Sequence, residues 1–257
     1  MYGLNLTALN GDCLELMASI PDNSIDAIIT DPPYGTTACK WDSIIPLEPM
    51  WKEVNRIIKP NGAIILFGQE PFATVLRYSN LKNYKYDWIW DKVKPGAFAI
   101  AKYTPLKQHE LIIVFTSNGA KLNYYPQMTK LEKTRKSKIY SSSDSASVKY
   151  NDGLEREYKE KYPKTIIQIS NANQSNKIHP TQKPVSLIEY LIKTYTQENE
   201  TVLDFTAGSF TTGIACINTN RNFIGIELNE DYYRMGLNRM RDHIEVMGCK
   251  IELVTKL

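Results

Sequence analysis

Ile25-Asp26-Ala27-Ile28-Ile29-Thr30 is a short apolar run rich in β-branched residues, and Asp31-Pro32-Pro33-Tyr34 brings it to a stop. Such a run reads as a buried strand, and the two prolines cannot continue a sheet ladder. A carboxylate and an aromatic ring therefore sit at a strand's carboxyl end, where open α/β sheets bind ligands. The prolines stiffen this loop and remove two N–H donors, so it offers carbonyl acceptors beside the Asp31 carboxylate. A pair of acceptors suits an amino group with two hydrogens, and Tyr34 offers a flat face on which a ring bearing that group can stack.

The rest of the chain alternates strand-like and helical patterns. Asn5 to Leu9 reads as a strand running into Gly11-Asp12, and Cys13 to Ile20 as a helix. Asp12 is either that helix's N-cap, a ligand contact, or both. Met50, Trp51, Val54, Ile57 and Ile58 mark an amphipathic helix that Lys59-Pro60-Asn61-Gly62 ends. Strands are expected at Ala63 to Phe67, Tyr86 to Trp90 and Leu111 to Thr116, with a helix from Glu70 to Tyr78. Gln108-His109-Glu110 reads as the polar lead into the strand at Leu111, and no catalytic role is assigned to it. Farther on, Thr201 to Phe205 is a strand that opens through Thr206-Ala207-Gly208-Ser209-Phe210-Thr211-Thr212-Gly213 into a helix. Small residues there let backbone approach a ligand, and a helix start presents free N–H groups. The strand Asn222 to Ile226 ends at Glu227, about twenty residues beyond Gly208, where nucleoside-binding α/β domains place a ribose hydroxyl acceptor. A basic amphipathic helix, Tyr232 to Val246, and a last strand at Ile251 to Val254 complete the pattern. This rhythm predicts a mostly parallel sheet with helices on both faces.

At 257 residues, 42% hydrophobic and 23% charged, the chain has the length and balance of one large globular domain or one domain with an inserted module. Its four cysteines, Cys13, Cys39, Cys216 and Cys249, form no C-x-x-C pair, so neither a zinc site nor a disulfide framework is expected. A reduced, cytoplasmic setting fits. No basic segment leads into an apolar h-region and no run of about eighteen apolar residues occurs, which argues against export and membrane spanning.

Residues 118–178 differ in character. They carry twelve Lys and Arg against six Asp and Glu, a net +6 within a chain of net +3, so everything else sums to −3. Six tyrosines are interleaved with that charge. Lysines suit phosphates, whereas rings and amide side chains suit bases, so the stretch is either a solvated charged face or a nucleic-acid surface on which Lys133, Arg135, Lys136 and Lys138 are the candidate contacts.

Taken in order, these motifs resemble those of the β-group amino-methyltransferases, DNA enzymes that modify adenine N6 or cytosine N4. Asp31-Pro32-Pro33-Tyr34 matches the catalytic motif, and His179-Pro180-Thr181-Gln182-Lys183-Pro184 matches the motif that precedes the cofactor half along its whole length. The glycine turn departs in one place, because Phe210 stands where the family usually has a second glycine, leaving the loop's path open. The resemblance spans nearly the whole chain outside the insert. It implies a doubly wound, mostly parallel methyltransferase sheet with an antiparallel edge hairpin. Residues 1–117 would be the catalytic half, 118–178 the target-recognition insert and 179–257 the cofactor half.

Further implications of the resemblance concern the site. S-adenosylmethionine is the implied cofactor, with no metal. Asp12 and Cys13 would contact its adenine, and His179, Thr181, Lys183 and Pro184 would approach its methionine end, where the Lys183 ammonium fits a carboxylate. Asp31, Asp204, Phe205, Thr206, Gly208, Ser209, Thr211 and Thr212 would line its remainder, with Glu227 on the ribose. Asp31, Pro32, Pro33 and Tyr34 would act on a base flipped out of double-stranded DNA, with direct transfer and no cysteine nucleophile. An Asp at the head of the motif favours adenine N6 over cytosine N4. A bacterial or phage origin is implied. A homodimer and a companion restriction endonuclease stay open, as no residue encodes either. The rival readings are a nucleotide-dependent oxidoreductase and a DNA-binding protein without catalysis on the same fold.

Overall fold

The central strand of the sheet is β2 (Ile25–Thr30), buried at every position, as expected for β-branched residues covered on both faces. The computed structural model describes residues 3–35, 43–117, 119–138, 155–171, 182–248 and 251–256. Two compact units emerge, one of residues 1–125 and 165–257, the other of residues 126–164.

In the larger unit β2 pairs in parallel with β3 (Ile58–Gly68) on one side and β9 (Thr201–Asp204) on the other. Beyond β9 lie β10 (Asn222–Glu227), β1 (Asn5–Asn10) and β11 (Glu252–Val254), all parallel. On the β3 side the direction reverses, because β5 (Lys107–Thr116) runs antiparallel to both β3 and β4 (Tyr84–Gly96). The expected antiparallel hairpin is present, but it is not the last element of the sheet. Ile166–Gln168 forms a strand, β8, that pairs in parallel with β4 and takes the edge.

Alternation along β3 divides the core. Ile64 and Leu66 pack with α1 (Cys13–Met17), α2 (Leu47–Ile57) and α3 (Phe72–Ser79). Ala63, Ile65 and Phe67 pack with α4 (Val185–Tyr195), α5 (Thr211–Asn218) and α6 (Glu230–Met247). Helices thus cover both faces, which is the doubly wound arrangement. No described helix is long and apolar enough to cross a membrane.

Two boundaries differ from expectation for physical reasons. Ile58 opens β3 instead of closing α2, and Lys59-Pro60-Asn61-Gly62 is absorbed as an irregularity between the Ile25–Ile58 and Ala27–Ala63 pairs. Gly62 permits this, since a Cβ there would lie 2.8 Å from the Asp26 carbonyl oxygen. Asp26 secures the irregularity: its carboxylate accepts from Lys59 Nζ at 2.6 Å and from the Thr201 amide at 2.9 Å, joining β3 and β9.

Residues 118–178, read from the sequence as one insert, are divided. The Tyr125 amide donates to Thr194 on α4, and residues 165–171 join the large sheet through β8. The smaller unit is built on an antiparallel hairpin of β6 (Thr129–Lys138) and β7 (Glu155–Lys161). Lys133, Arg135 and Lys136 lie exposed on β6, where Lys136 pairs with Glu157 at 3.1 Å and Lys138 stands in register with Glu155.

Candidate active site

Four adjacent parallel strands end in carboxylates. β1 leads to Asp12, β10 ends at Glu227, β9 ends at Asp204 and β2 leads to Asp31. All four line a single cavity of about 380 Å³ at the carboxyl edge of the sheet. Of the residues singled out from sequence, Cys13, Pro32, Pro33, Tyr34, Lys183, Phe205, Thr206, Gly208, Ser209, Thr211 and Thr212 also line it. Pro184 does not; it precedes α4 as its N-cap. His179 and Thr181 lie outside the described residues, as do residues 36–42.

Asp12 is an N-cap in fact, its Oδ1 accepting from the Leu14 amide at 2.8 Å and the Glu15 amide at 3.3 Å. Beside it, burial and the Asp12 charge push the Cys13 thiol up to about 12, so no thiolate is available at neutral pH. Glu227 is held by backbone: the Gly208 amide donates to Oε2 at 2.7 Å and the Asn229 amide to Oε1 at 2.8 Å. Each carboxylate oxygen has a second lone pair, so both still have capacity to accept from a ligand. Asp204 is enclosed by hydroxyls, accepting from Thr30 at 2.7 Å, Thr212 at 2.6 Å and the Thr206 amide at 3.2 Å. Burial nevertheless pushes its carboxyl up to about 6.

The Thr206 hydroxyl, 2.6 Å from that of Thr30, also donates to the Asp31 carbonyl at 3.1 Å, tying the Asp31 backbone to the Asp204 cluster. The Asp31 carboxylate has other partners. The Tyr34 hydroxyl donates to Oδ1 and the Lys183 ammonium to Oδ2. Lys183 also lies 3.3 Å from Glu110, which is itself 3.2 Å from Lys92, and its ammonium sits 4.9 Å from the centroid of the Phe67 ring. Burial raises the Asp31 carboxyl above its ordinary value against the opposing pull of Lys183. On Lys183, burial works against the charge, and Asp31 with Glu110 overcomes it and holds the ammonium above its usual range. The Tyr34 ring stacks on Phe72 at 5.3 Å, so one of its faces is already in contact.

Phe210 opens α5 in the left-handed region at φ 54°, the conformation in which a glycine would be free of strain. Its ring is fully buried against Phe223 and Tyr233. Room for it comes from glycines, because a Cβ on Gly236 would meet Phe210 at 2.3 Å and one on Gly225 would meet it at 2.7 Å. The strand, turn and helix are kept. Arg239 on α6 steadies the same turn, donating to the Ser209 carbonyl and the Thr211 hydroxyl, each at 2.9 Å.

Sequence reading missed Lys92, Thr30, Phe67 and Arg239, and it named Glu110 without giving it a role. Glu110 carried a weak signal as a lone carboxylate ahead of a buried strand; the others look like ordinary strand or helix residues until the strands are placed side by side.

The family profile described as DNA methylase, of the N6 and N4 type, matches residues 25–238. The chain belongs to this DNA methylase family. Among its relatives, the type II methyltransferase M.HpaI of Haemophilus parainfluenzae is 29% identical over 244 residues, covering 89% of this chain and 72% of the relative. The DNA adenine methyltransferase YhdJ of Escherichia coli is 28% identical over 250 residues, covering 91% and 82%. Among solved structures, the M1.HpyAVI-SAM complex matches with a TM-score of 0.62 at 26% identity, covering 91% of this chain and all of that one.

Proposed function

We propose that this methylase transfers a methyl group from S-adenosylmethionine to N6 of an adenine flipped out of double-stranded DNA. The observation that carries the reading is Asp31, whose carboxylate lies at the end of the central strand, in the wall of a cavity that also contains Glu227 and the Gly208 turn. The donor set suits the cofactor: Glu227 accepts hydroxyls, the turn's small residues admit a backbone-hugging ligand, and Ile29, Phe67 and Phe205 supply apolar walls. The Leu14 and Tyr232 side of the cavity, next to Asp12, would take the adenine ring.

When bound, S-adenosylmethionine supplies an electrophilic methyl group. Everything else falls to this chain. Asp31 and the Pro32 carbonyl accept the two hydrogens of the target amino group and so orient its lone pair, which is catalysis by position and preorganised electrostatics. Tyr34 offers its ring to the base, with Phe72 stacked against it at 5.3 Å as support. The methylated nitrogen carries positive charge until it gives up one N–H proton, and the Asp31 carboxylate that accepts its hydrogen bond would be the first group to take that proton before it passes to solvent. The relative named as an adenine methyltransferase and the leading Asp of the motif favour adenine over cytosine. A companion endonuclease would fit the type II relatives.

Tritium transfer from labelled cofactor to DNA tests the reading. Asp31→Ala is expected to lower turnover by about 10²–10³-fold, the scale of one lost preorganised electrostatic contact, with cofactor binding retained. Hydrolysis of the product DNA should yield N6-methyladenine; N4-methylcytosine would reassign the base. Full turnover in the Asp31→Ala variant would reject the mechanism.

A further inference from the structure

Between the end of β2 and the middle of the β4–β5 hairpin runs a row of four charges of alternating sign, Asp31, Lys183, Glu110 and Lys92. Its links are unequal. The Lys183 ammonium hydrogen-bonds Asp31, and Lys92 hydrogen-bonds Glu110 Oε1 at 3.2 Å. Glu110 Oε2, by contrast, is buried without a hydrogen-bond partner, although Lys183 Nζ stands only 3.3 Å away. That oxygen is in ion-pair range of the ammonium but outside hydrogen-bond geometry with it, so a donor lies within reach of a buried acceptor that it does not fully satisfy. The ammonium meanwhile rests on the face of Phe67, which exposes no polar atom to hold it in place.

This arrangement bears on the reaction. With Tyr34 on one oxygen and Lys183 on the other, Asp31 is engaged before any amino group arrives. We propose that Lys183 is a movable counter-ion with two stations, pairing with Asp31 in the resting enzyme and turning to Glu110 as the target amino group takes its place on Asp31. Glu110 is then a positioning residue that acts through Lys183, and this rests on the reading of Asp31 as the amino-group acceptor. A short rotation at the end of a flexible side chain suffices. The four charges sum to zero in both positions, so the shift leaves no net charge uncompensated in the buried site.

The test measures kcat, KM for DNA and cofactor affinity in Glu110→Gln, Glu110→Asp and the double variant Lys92→Met with Glu110→Gln. The double variant removes the second station together with its own partner and so keeps the buried charges balanced if the single variant folds poorly. Loss of the station should lower kcat on the order of tenfold or more, as Lys183 stays on Asp31 and competes with substrate. Cofactor affinity and KM for DNA should hold within about twofold, and Glu110→Asp should recover part of kcat. If both charge-deleted variants turn over like the wild type while Asp31→Ala is inactive, the two-station inference falls and the acceptor role stands. Parallel loss of cofactor affinity and kcat would also overturn it, making Glu110 a structural support. Full turnover in Asp31→Ala would remove the acceptor reading itself.

Discussion

Asp204 and Glu227 on one side of the cavity, and Asp31 on the other, are the same chemical group at the same end of neighbouring strands, yet they are held by different means. Glu227 is bound by two backbone amides and Asp204 by two threonine hydroxyls and one amide, from β2, the Gly208 turn and the starts of α5 and α6. Asp31 is held by the tips of two side chains, one of them Lys183, 152 positions away. Backbone partners cannot leave without unfolding a turn, whereas an ammonium on a flexible stem can. The side assigned to the cofactor is therefore built in advance, and the side assigned to the base is adjustable.

The largest effect should come from removing the adjustable partner. Lys183→Met leaves Asp31 without its counter-charge and is expected to cost about 3–5 kcal/mol of stability, the range for breaking a buried pair from one side. Urea unfolding measures it, and a loss below about 1 kcal/mol would mean that solvent already compensates Asp31.

Asp204 gives the next effect, read through pH. Its folded-state value of about 6 lies above the ordinary 3.8, so the proton binds the folded protein more tightly. Stability from this group is complete below about pH 4 and is lost as pH rises through 6, a decline of up to about 3 kcal/mol by neutrality. Asp204→Asn should abolish that slope, which unfolding curves between pH 4 and 7 would reveal. An unchanged slope would show that the threonine cluster keeps Asp204 ionised.

Glu227→Ala should weaken cofactor binding by roughly 10–100-fold, since a hydrogen bond to a charged group contributes about 1.5–3 kcal/mol. Calorimetry showing only a stability loss would make Glu227 part of the scaffold. The smallest change is expected on the hairpin. Arg135→Ala should reduce the slope of log affinity against log salt by about 1, and Lys136→Ala, whose charge already faces Glu157 at 3.1 Å, by less. Equal slopes would place DNA off this strand.

The fixed side of the site was the legible side. Glu227 closes its strand at the expected distance from Gly208, Asp12 is followed by its helix, and β2 covers the predicted Ile25–Thr30, because each depends on a local pattern of period and punctuation. The adjustable side was not legible. Lys183 read as a partner for a cofactor carboxylate, and Glu110 as a polar lead into a strand, because their meeting depends on how β4 and β5 pair and on where a distant loop returns. β8 was missed for a similar reason: three residues become a strand only because β4 offers them an open edge. The Pro60-Asn61-Gly62 sequence reads as a turn, and only the contact with Asp26 shows why it lies within β3.

Phe210 carries one last consequence. A glycine at this turn would be a swivel, with many backbone states open to the unfolded chain; phenylalanine has few, and its ring is locked into a slot bounded by Gly225 and Gly236. The slot and the ring depend on each other. A side chain at either glycine would collide with the ring, and a small residue at 210 would leave a void that the two glycines cannot fill. Phe210 and Gly236 can therefore drift only in concert, whereas Gly225 is held to glycine by a second ring as well, since a Cβ there would meet Phe223 at 2.6 Å.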